Sequence, residues 1–77
     1  MEERLIPTEV VQLLTAAEAG EYRLVPVRRQ GAEVCCYGAE GHDYAAAAAE
    51  LEVLYGWRVR IEPVAEEELQ RLLLRYY

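Results

Sequence analysis

The last third of the chain decides the fold; it reads LEVLYGWRVRIEPVAEEELQRLLLRYY, residues 51–77. Its first residues continue a helical pattern that Gly56 closes, since glycine commonly follows the last turn of a helix. Residues 57–64 then alternate between apolar and charged, which is typical of a half-buried strand. One face of that strand carries Trp57, Val59 and Ile61, and the other carries Arg58, Arg60 and Glu62. The stretch therefore predicts a helix followed by a strand, in a sheet with one dry side and one solvated side.

Glutamates and leucines after this strand predict a further helix. Three consecutive glutamates place negative charge where a helix N-terminus attracts it: Glu66, Glu67 and Glu68. The apolar residues that follow recur at helical spacing: Leu69, Leu72, Leu73 and Tyr76. This periodicity predicts a helix whose apolar side packs on the sheet.

Two short helices are predicted near the start of the chain. Pro7 suits the first turn of a helix that extends to about Leu14. Thr15 and Glu18 form a T-x-x-E capping box, which predicts that a second short helix begins there. We expect that second helix to end at Gly20, because glycine favours helix ends.

A β-hairpin is predicted next, because the apolar period changes from helical to alternating at Tyr22. Pro26 lacks a backbone donor and therefore favours an edge strand or a strand end. Residues 28–31 form a polar connection into a second strand over residues 33–38. Gly31 supplies the positive φ that such a turn needs.

An alanine-rich helix connects the hairpin to the last strand. Asp43 is a suitable N-cap after a glycine-containing linker, residues 38–42. The inward side of this helix is predicted to carry Tyr44, Ala47, Ala48, Leu51, Leu54 and Tyr55. The element order α-(α)-β-β-α-β-α predicts a single domain over residues 1–77. Its class is α+β, a two-layer α/β arrangement with a small three-stranded mixed sheet packed by helices.

Composition and charge bound the function. The chain has 77 residues, is 53% hydrophobic and carries a formal net charge of −6. Nucleic-acid binding is not expected, because it depends on Lys and Arg that neutralise phosphates. No apolar run approaches the roughly 18–20 residues of a membrane helix and no secretory signal is recognisable, so we expect a cytoplasmic protein without direct membrane insertion. All eight basic residues are arginine, a bias that a thermophilic source or a GC-rich genome would produce.

Few residues could carry catalysis. The chain has no serine, one histidine and one aspartate, and no phosphate-binding G-x-x-x-x-G-K motif. We therefore expect neither an enzyme nor a bound cofactor. Cys35, Cys36, His42 and Asp43 are all types of metal ligand, but the spacing C-C-x5-H-D matches no established zinc pattern, so no metal site is assigned. The two cysteines are expected to be free, with Cys36 buried and Cys35 more exposed.

Five arginines are the candidate binding residues: Arg23, Arg28, Arg29, Arg58 and Arg60. If the third strand pairs with the first, Arg23 or Arg28 lies near Arg58 and Arg60 on the face away from Trp57. Such a cluster could receive a phosphate, a carboxylate or an acidic partner. The alternative is that these arginines pair with glutamates on a solvated sheet face.

Tyr76 and Tyr77 are the candidate interface residues, because aromatic side chains are costly to leave in water. One interpretation is that they pack back on the first helix. The other is that they mark a homo-oligomer face, or the point where a longer relative continues into another domain.

Three stretches resemble the N-terminal domain of the assembly ATPases of type II secretion and type IV pili. They are YRLVPVRRQGAEVCCYG, LYGWRVRIEPV and AEEELQRLLLRYY. The matching residues are Tyr22, Arg23, Pro26, Gly56, Glu62, Pro63, Val64, Glu67, Leu69 and Tyr76. The resemblance spans residues 5–77 and implies an α/β domain with a small three-stranded sheet that docks to inner-membrane assembly proteins.

Some members of that family bind cyclic di-GMP through an R-L-G motif followed by spaced leucines and a glutamine. Here Arg4 and Leu5 are followed by Ile6 and Pro7, so the glycine of the motif and its complete leucine spacing are absent. What the resemblance implies for this chain is a stand-alone, non-catalytic module for regulation or protein interaction. The alternative is a sensor that binds a small anion, such as a cyclic dinucleotide, on the arginine cluster.

Overall fold

A computed structural model describes residues 6–77 of the chain. Within that range it contains four helices and three strands, in the order that the sequence predicts. They are α1 (Thr8–Val11), α2 (Ala16–Tyr22), β1 (Leu24–Gln30), β2 (Glu33–Ala39), α3 (Ala45–Tyr55), β3 (Arg58–Val64) and α4 (Glu66–Tyr76). The predicted α+β class, the mixed sheet and the order of the elements are confirmed.

The sheet has the strand order β1-β2-β3. β2 pairs antiparallel with β1 and parallel with β3, so β2 is the central strand and β1 is an edge strand, where Pro26 is tolerated. The register shifts between Pro26 and Arg28, which places a bulge at Val27. Pro63 lies opposite Gly38 within the parallel pairing of β2 and β3.

The hairpin turn is shorter than the sequence predicts. Arg28, Arg29 and Gln30 belong to β1 and pair with β2, so they do not form a loop. The reversal is confined to Gly31 and Ala32, and Gly31 has the expected positive φ of 62°. These polar side chains resemble a loop in the sequence because one face of an edge strand is open to water.

The predicted capping box begins α2. The backbone N–H of Glu18 donates to Thr15 Oγ1 at 3.1 Å, and the N–H of Thr15 donates to Glu18 Oε1 at 3.0 Å. The hydrogen bond from the Thr15 backbone, together with one from the Tyr55 hydroxyl, lowers the pKa of Glu18. A carboxylate with a lowered pKa stabilises the fold above its unfolded-state pKa, and this contribution is lost as the pH falls through the folded-state value.

The two N-terminal helices differ from prediction in length. α1 covers only Thr8–Val11 of the predicted residues 7–14, while α2 continues through Gly20 as far as Tyr22. The left-handed residue that ends α2 is Arg23, with φ 55° and ψ 50°. Tertiary contacts favour this unusual arginine conformation, because its carbonyl accepts a hydrogen bond at 2.9 Å from a tyrosine hydroxyl in the α3 region.

Two apolar clusters form the core, and they lie on opposite faces of the sheet because β2 contributes alternating residues to them. The first cluster contains Leu14, Ala19, Leu24, Val34, Cys36, Tyr44, Leu51 and Trp57. The second contains Ile6, Val10, Val25, Tyr37, Ala39 and Leu69. The prediction of one dry and one solvated side therefore holds at β3, where burial alternates, and is wrong for β1 and β2.

α3 is held to the first cluster mainly by Leu51, its one fully buried residue. Gly56 ends the helix with φ 72°, as predicted. The N-cap is Tyr44, one residue later than expected, although Asp43 Oδ1 accepts a hydrogen bond from Ala45 N at 2.9 Å. Leu54 and Tyr55, predicted to face inward, are 56% and 43% exposed.

Gly38 belongs to β2 and is covered by the ring of Tyr44, so it is not part of a flexible linker. A Cβ placed on Gly38 would lie 2.5 Å from that ring and 3.0 Å from Ile61 Cγ2. The Tyr44 hydroxyl accepts a hydrogen bond from Ala39 N at 2.8 Å and donates to the carbonyl of Arg23 at 2.9 Å. One side chain thus joins the end of β2 to the start of β1.

Replacing Gly38 with alanine is expected to destabilise the domain by about 1–3 kcal/mol, because the added methyl group overpacks the core against an aromatic ring. The matched control is Gly20→Ala, since Gly20 lies inside α2 and a Cβ there meets nothing within 4 Å. That control should stabilise the protein by about 0.5–1 kcal/mol. Urea unfolding measures both changes, and a neutral Gly38→Ala would contradict the close contact with Tyr44.

Candidate functional site

The structure brings three of the five candidate arginines onto one face of the sheet. β3 pairs with β2 and not with β1, so the pairing on which the cluster was predicted does not occur. The register nevertheless aligns Arg28, Cys35 and Arg60 in one row across the three strands. Adjacent strands are about 4.8 Å apart, so the Cα atoms of Arg28 and Arg60 are separated by about 10 Å.

Arg58 shares this face because it lies two residues before Arg60 on the same strand. We call Arg28, Arg58 and Arg60 the arginine face. It points away from the side of β3 that carries Trp57 and Val59, and all three arginines are exposed.

The other two candidate arginines lie elsewhere. Arg29 alternates to the opposite face of β1, and its Nε donates to the carbonyl of Gly31 at 2.9 Å. Arg23 ends α2, and its guanidinium pairs with the carboxylate of Glu66 at the start of α4. These two residues have local structural roles that explain their presence without a ligand.

Glutamates neutralise the arginine face only in part. Arg60 and Glu33 form an exposed ion pair with an N–O distance of 3.9 Å, which contributes little to stability. Within residues 6–77, neither Arg28 nor Arg58 takes part in an ion pair. The alternative that glutamates satisfy the arginines therefore applies to Arg23 and Arg60, and it leaves two exposed guanidinium groups on one face.

Two shallow pockets lie at the end of the sheet that carries the hairpin turn. The first has a volume of about 430 Å³ and is lined by Gln30, Ala32, Glu33, Glu52, Gly56, Trp57 and Arg58. The second has a volume of about 390 Å³ and is lined by Glu9, Val10, Leu13, Arg29 and Gly31. Each pocket contains one arginine beside glutamate, so both have mixed charge and neither is a dedicated anion pocket.

The two cysteine residues are buried and the histidine is exposed. Both cysteines are free and buried, and Cys35 is the more exposed of the two, at 9%. Burial, reinforced by the neighbouring Cys35, raises the pKa of Cys36 to about 12. His42 is exposed and its ring lies 4.5 Å from that of Tyr44. Among residues 6–77 no three His, Cys, Asp or Glu side chains are close enough to hold a metal ion.

The two C-terminal tyrosines pack back on the first helix, which was one of their two predicted roles. The Tyr77 hydroxyl donates to the carbonyl of Val11 at 2.6 Å. The backbone N–H of Ile6 donates to the Tyr76 hydroxyl at 3.2 Å. Burial, with a smaller effect from Cys36, raises the pKa of Tyr77 to about 12. Their predicted role as an oligomer interface stays a prediction.

Four large apolar side chains on the surface were missed by the sequence reasoning. Val53 is 84% exposed and Leu74 is 78% exposed, while Leu54, at 56%, and Tyr55, at 43%, were assigned to the core. The signal was present in the sequence, because α3 is apolar around most of its circumference and one helix face alone can reach the core. Within residues 6–77 no helix is long and apolar enough to cross a membrane. Arg4 and Leu5, the residues compared with the R-L-G motif, lie outside the described residues.

Comparison with known proteins reveals similarity at the level of the fold. No family model matches the chain. No curated protein is significantly similar to it. Among solved structures, that of MshE with cdg matches with a TM-score of 0.76 and 24% sequence identity. The match covers 94% of this chain and 52% of the MshE chain, so this chain spans about half the length of the MshE chain. At this low sequence identity, the structural match establishes a shared fold and no more.

The thiol of Cys36 is expected to resist alkylation in the native state. A pKa of about 12, against an ordinary value of 9.0, lowers the thiolate fraction near neutral pH by about a thousandfold, and burial restricts access further. The measurement is iodoacetamide labelling of the Cys35→Ala variant, followed by mass spectrometry with and without denaturant. Native labelling as fast as that of the unfolded chain would contradict the buried, protonated thiol.

Removing the Tyr77 hydroxyl is expected to loosen α1. Tyr77→Phe leaves the Val11 carbonyl without its donor and should cost about 1 kcal/mol of stability. Amide hydrogen exchange should accelerate at Val11 and Gln12, whose N–H groups bond within α1. The matched control is Tyr55→Phe, because the Tyr55 hydroxyl bonds the exposed Glu18 carboxylate and its removal should change stability by less than about 0.5 kcal/mol. Unchanged exchange in α1 would contradict the anchoring role.

Proposed function

We propose that this chain is a non-catalytic recognition domain that binds a protein partner in the cytoplasm, in the manner of the N-terminal domains of secretion or pilus assembly ATPases. Two observations support the proposal. The resemblance in sequence spans residues 5–77, and the fold is similar to part of MshE.

The arginine face is the proposed binding surface. Its three exposed guanidinium groups outnumber the two glutamates on the same face, Glu33 and Glu62, so this face is locally positive on a protein whose net charge is −6. Arginine binds carboxylates and phosphates through paired N–H donors, which suits an acidic segment of a partner protein. Arg28 and Arg58 do not need to break an ion pair within residues 6–77 before they bind such a segment.

A second candidate function is the binding of a cyclic dinucleotide on the same face. The specific observation that favours it is that MshE, whose fold is similar, has been solved with cdg, that is, cyclic di-GMP. Arg28 and Arg60 lie on either side of Cys35 and are separated widely enough to contact different phosphates. The chemistry shared by both candidates is the recognition of oxyanions by arginine.

Nuclear magnetic resonance titration with two probes tests the proposal and separates the candidates. The first probe is a short polyglutamate peptide, which represents an acidic segment, and the second is cyclic di-GMP. We expect the peptide to shift the amide resonances of Arg28, Cys35 and Arg60. Arg28→Glu should weaken this binding at least about tenfold, since it replaces attraction with repulsion. Arg29→Glu is the matched control, because the neighbouring side chain points to the other face, and it should have little effect.

The outcomes discriminate clearly. Shifts produced by cyclic di-GMP and not by the peptide would establish the sensor in place of the partner-binding module. Shifts by the peptide that Arg28→Glu and Arg29→Glu reduce equally would indicate binding outside the arginine face. The absence of shifts with both probes would overturn the assignment of this surface.

A further inference from the structure

The surface carries two exposed apolar patches of opposite charge. The acidic patch is on α3 and consists of Val53 and Leu54 with Glu50 and Glu52. The basic patch is on α4 and consists of Leu74 with Arg71 and Arg75. The apolar centres are 84%, 56% and 78% exposed for Val53, Leu54 and Leu74 respectively. Exposed apolar surface that is rimmed by polar or charged residues marks interaction sites more often than scattered apolar residues do.

Each patch has charged residues of one sign in its own part of the helix. α3 contains no basic residue, and its two glutamates lie on either side of Val53 around the helix. The C-terminal half of α4 contains no acidic residue, and Arg71 lies one turn before Leu74.

The two patches cannot meet within one molecule. α3 packs through Leu51 into the cluster that contains Cys36, whereas α4 packs through Leu69 into the cluster that contains Tyr37. Cys36 and Tyr37 are neighbours on β2 and point to opposite faces of the sheet. The helices therefore lie on opposite sides of the domain, and their exposed faces point away from each other.

We propose that the acidic patch of one copy of this chain binds the basic patch of a second copy. Leu74 would pack against Val53 and Leu54, while Arg71 pairs with the glutamates of α3. Contacts between two copies of the same patch are disfavoured, because both would bring like charges together. The contact is heterologous and the patches face opposite ways, so it repeats from copy to copy and does not close as a twofold dimer.

This surface is separate from the arginine face. The acidic and basic patches use outer helix faces, whereas the arginine face is formed by the strands. Self-association can therefore fail while anion binding succeeds, and the reverse is also true. The two measurements are independent when the peptide titration is performed at concentrations too low for assembly.

Sedimentation velocity over a concentration series, at low salt and up to millimolar protein, tests the proposal. We expect the average mass to rise beyond that of a dimer, and to fall when salt screens the charges. Val53→Arg brings like charge to Arg71, and Leu74→Glu brings like charge to Glu50, so each variant alone should remain monomeric. Both positions are exposed, so circular dichroism and thermal melting should be unchanged. Glu9→Arg reverses an exposed charge outside the patches and should assemble as the parent does.

Mixing the two defective variants is the decisive arm. Val53→Arg retains an intact basic patch and Leu74→Glu retains an intact acidic patch, so the mixture should associate although neither component does. A parent protein that is monomeric at all concentrations would overturn the proposal. An assembly that stops at a dimer, or variants that fail to rescue each other, would overturn the heterologous contact.

Discussion

The central strand β2 is the constraint on which the rest of the structure depends. Its backbone is paired on both edges, antiparallel to β1 and parallel to β3. Its side chains are buried on both faces almost throughout, so consecutive residues such as Cys36 and Tyr37 enter different apolar clusters. A strand buried in this way fixes which helices lie on which side of the domain. Tyr44 secures the end of the strand through its two hydrogen bonds and its contact over Gly38.

The surface follows from that arrangement. Because β2 separates β1 from β3, arginines on the two outer strands face the same solvent region without forming a tight cluster. Because α3 and α4 lie on opposite faces of the sheet, their exposed apolar residues are at opposite sides of the molecule. The interior meanwhile holds the thiol of Cys36 buried, and burial raises its pKa to about 12.

Local patterns predicted most of the fold, and tertiary contacts explain the differences. The alternation around Val59, the capping box at Thr15 and the helix end at Gly56 are short-range effects, so they can be read directly from the sequence. Which strand pairs with β3 depends on contacts between residues that are distant in sequence. The predicted arginine cluster assumed that β3 pairs with β1, whereas β3 pairs with β2. Gly20 does not end α2 because tertiary contacts at Arg23 set the boundary instead. The five candidate arginines were identified from the sequence. The strand register was needed to show that Arg28 and Arg60 share one face of the sheet while Arg29 lies on the other.

Cross-strand nuclear Overhauser effects at Cys35 test whether β2 is the central strand, on which the arginine face and the opposed patches both depend. Cys35 should contact Arg28 on one side and Arg60 on the other in the same sample. Direct backbone contacts between β1 and β3, with Cys35 at a sheet edge, would contradict it.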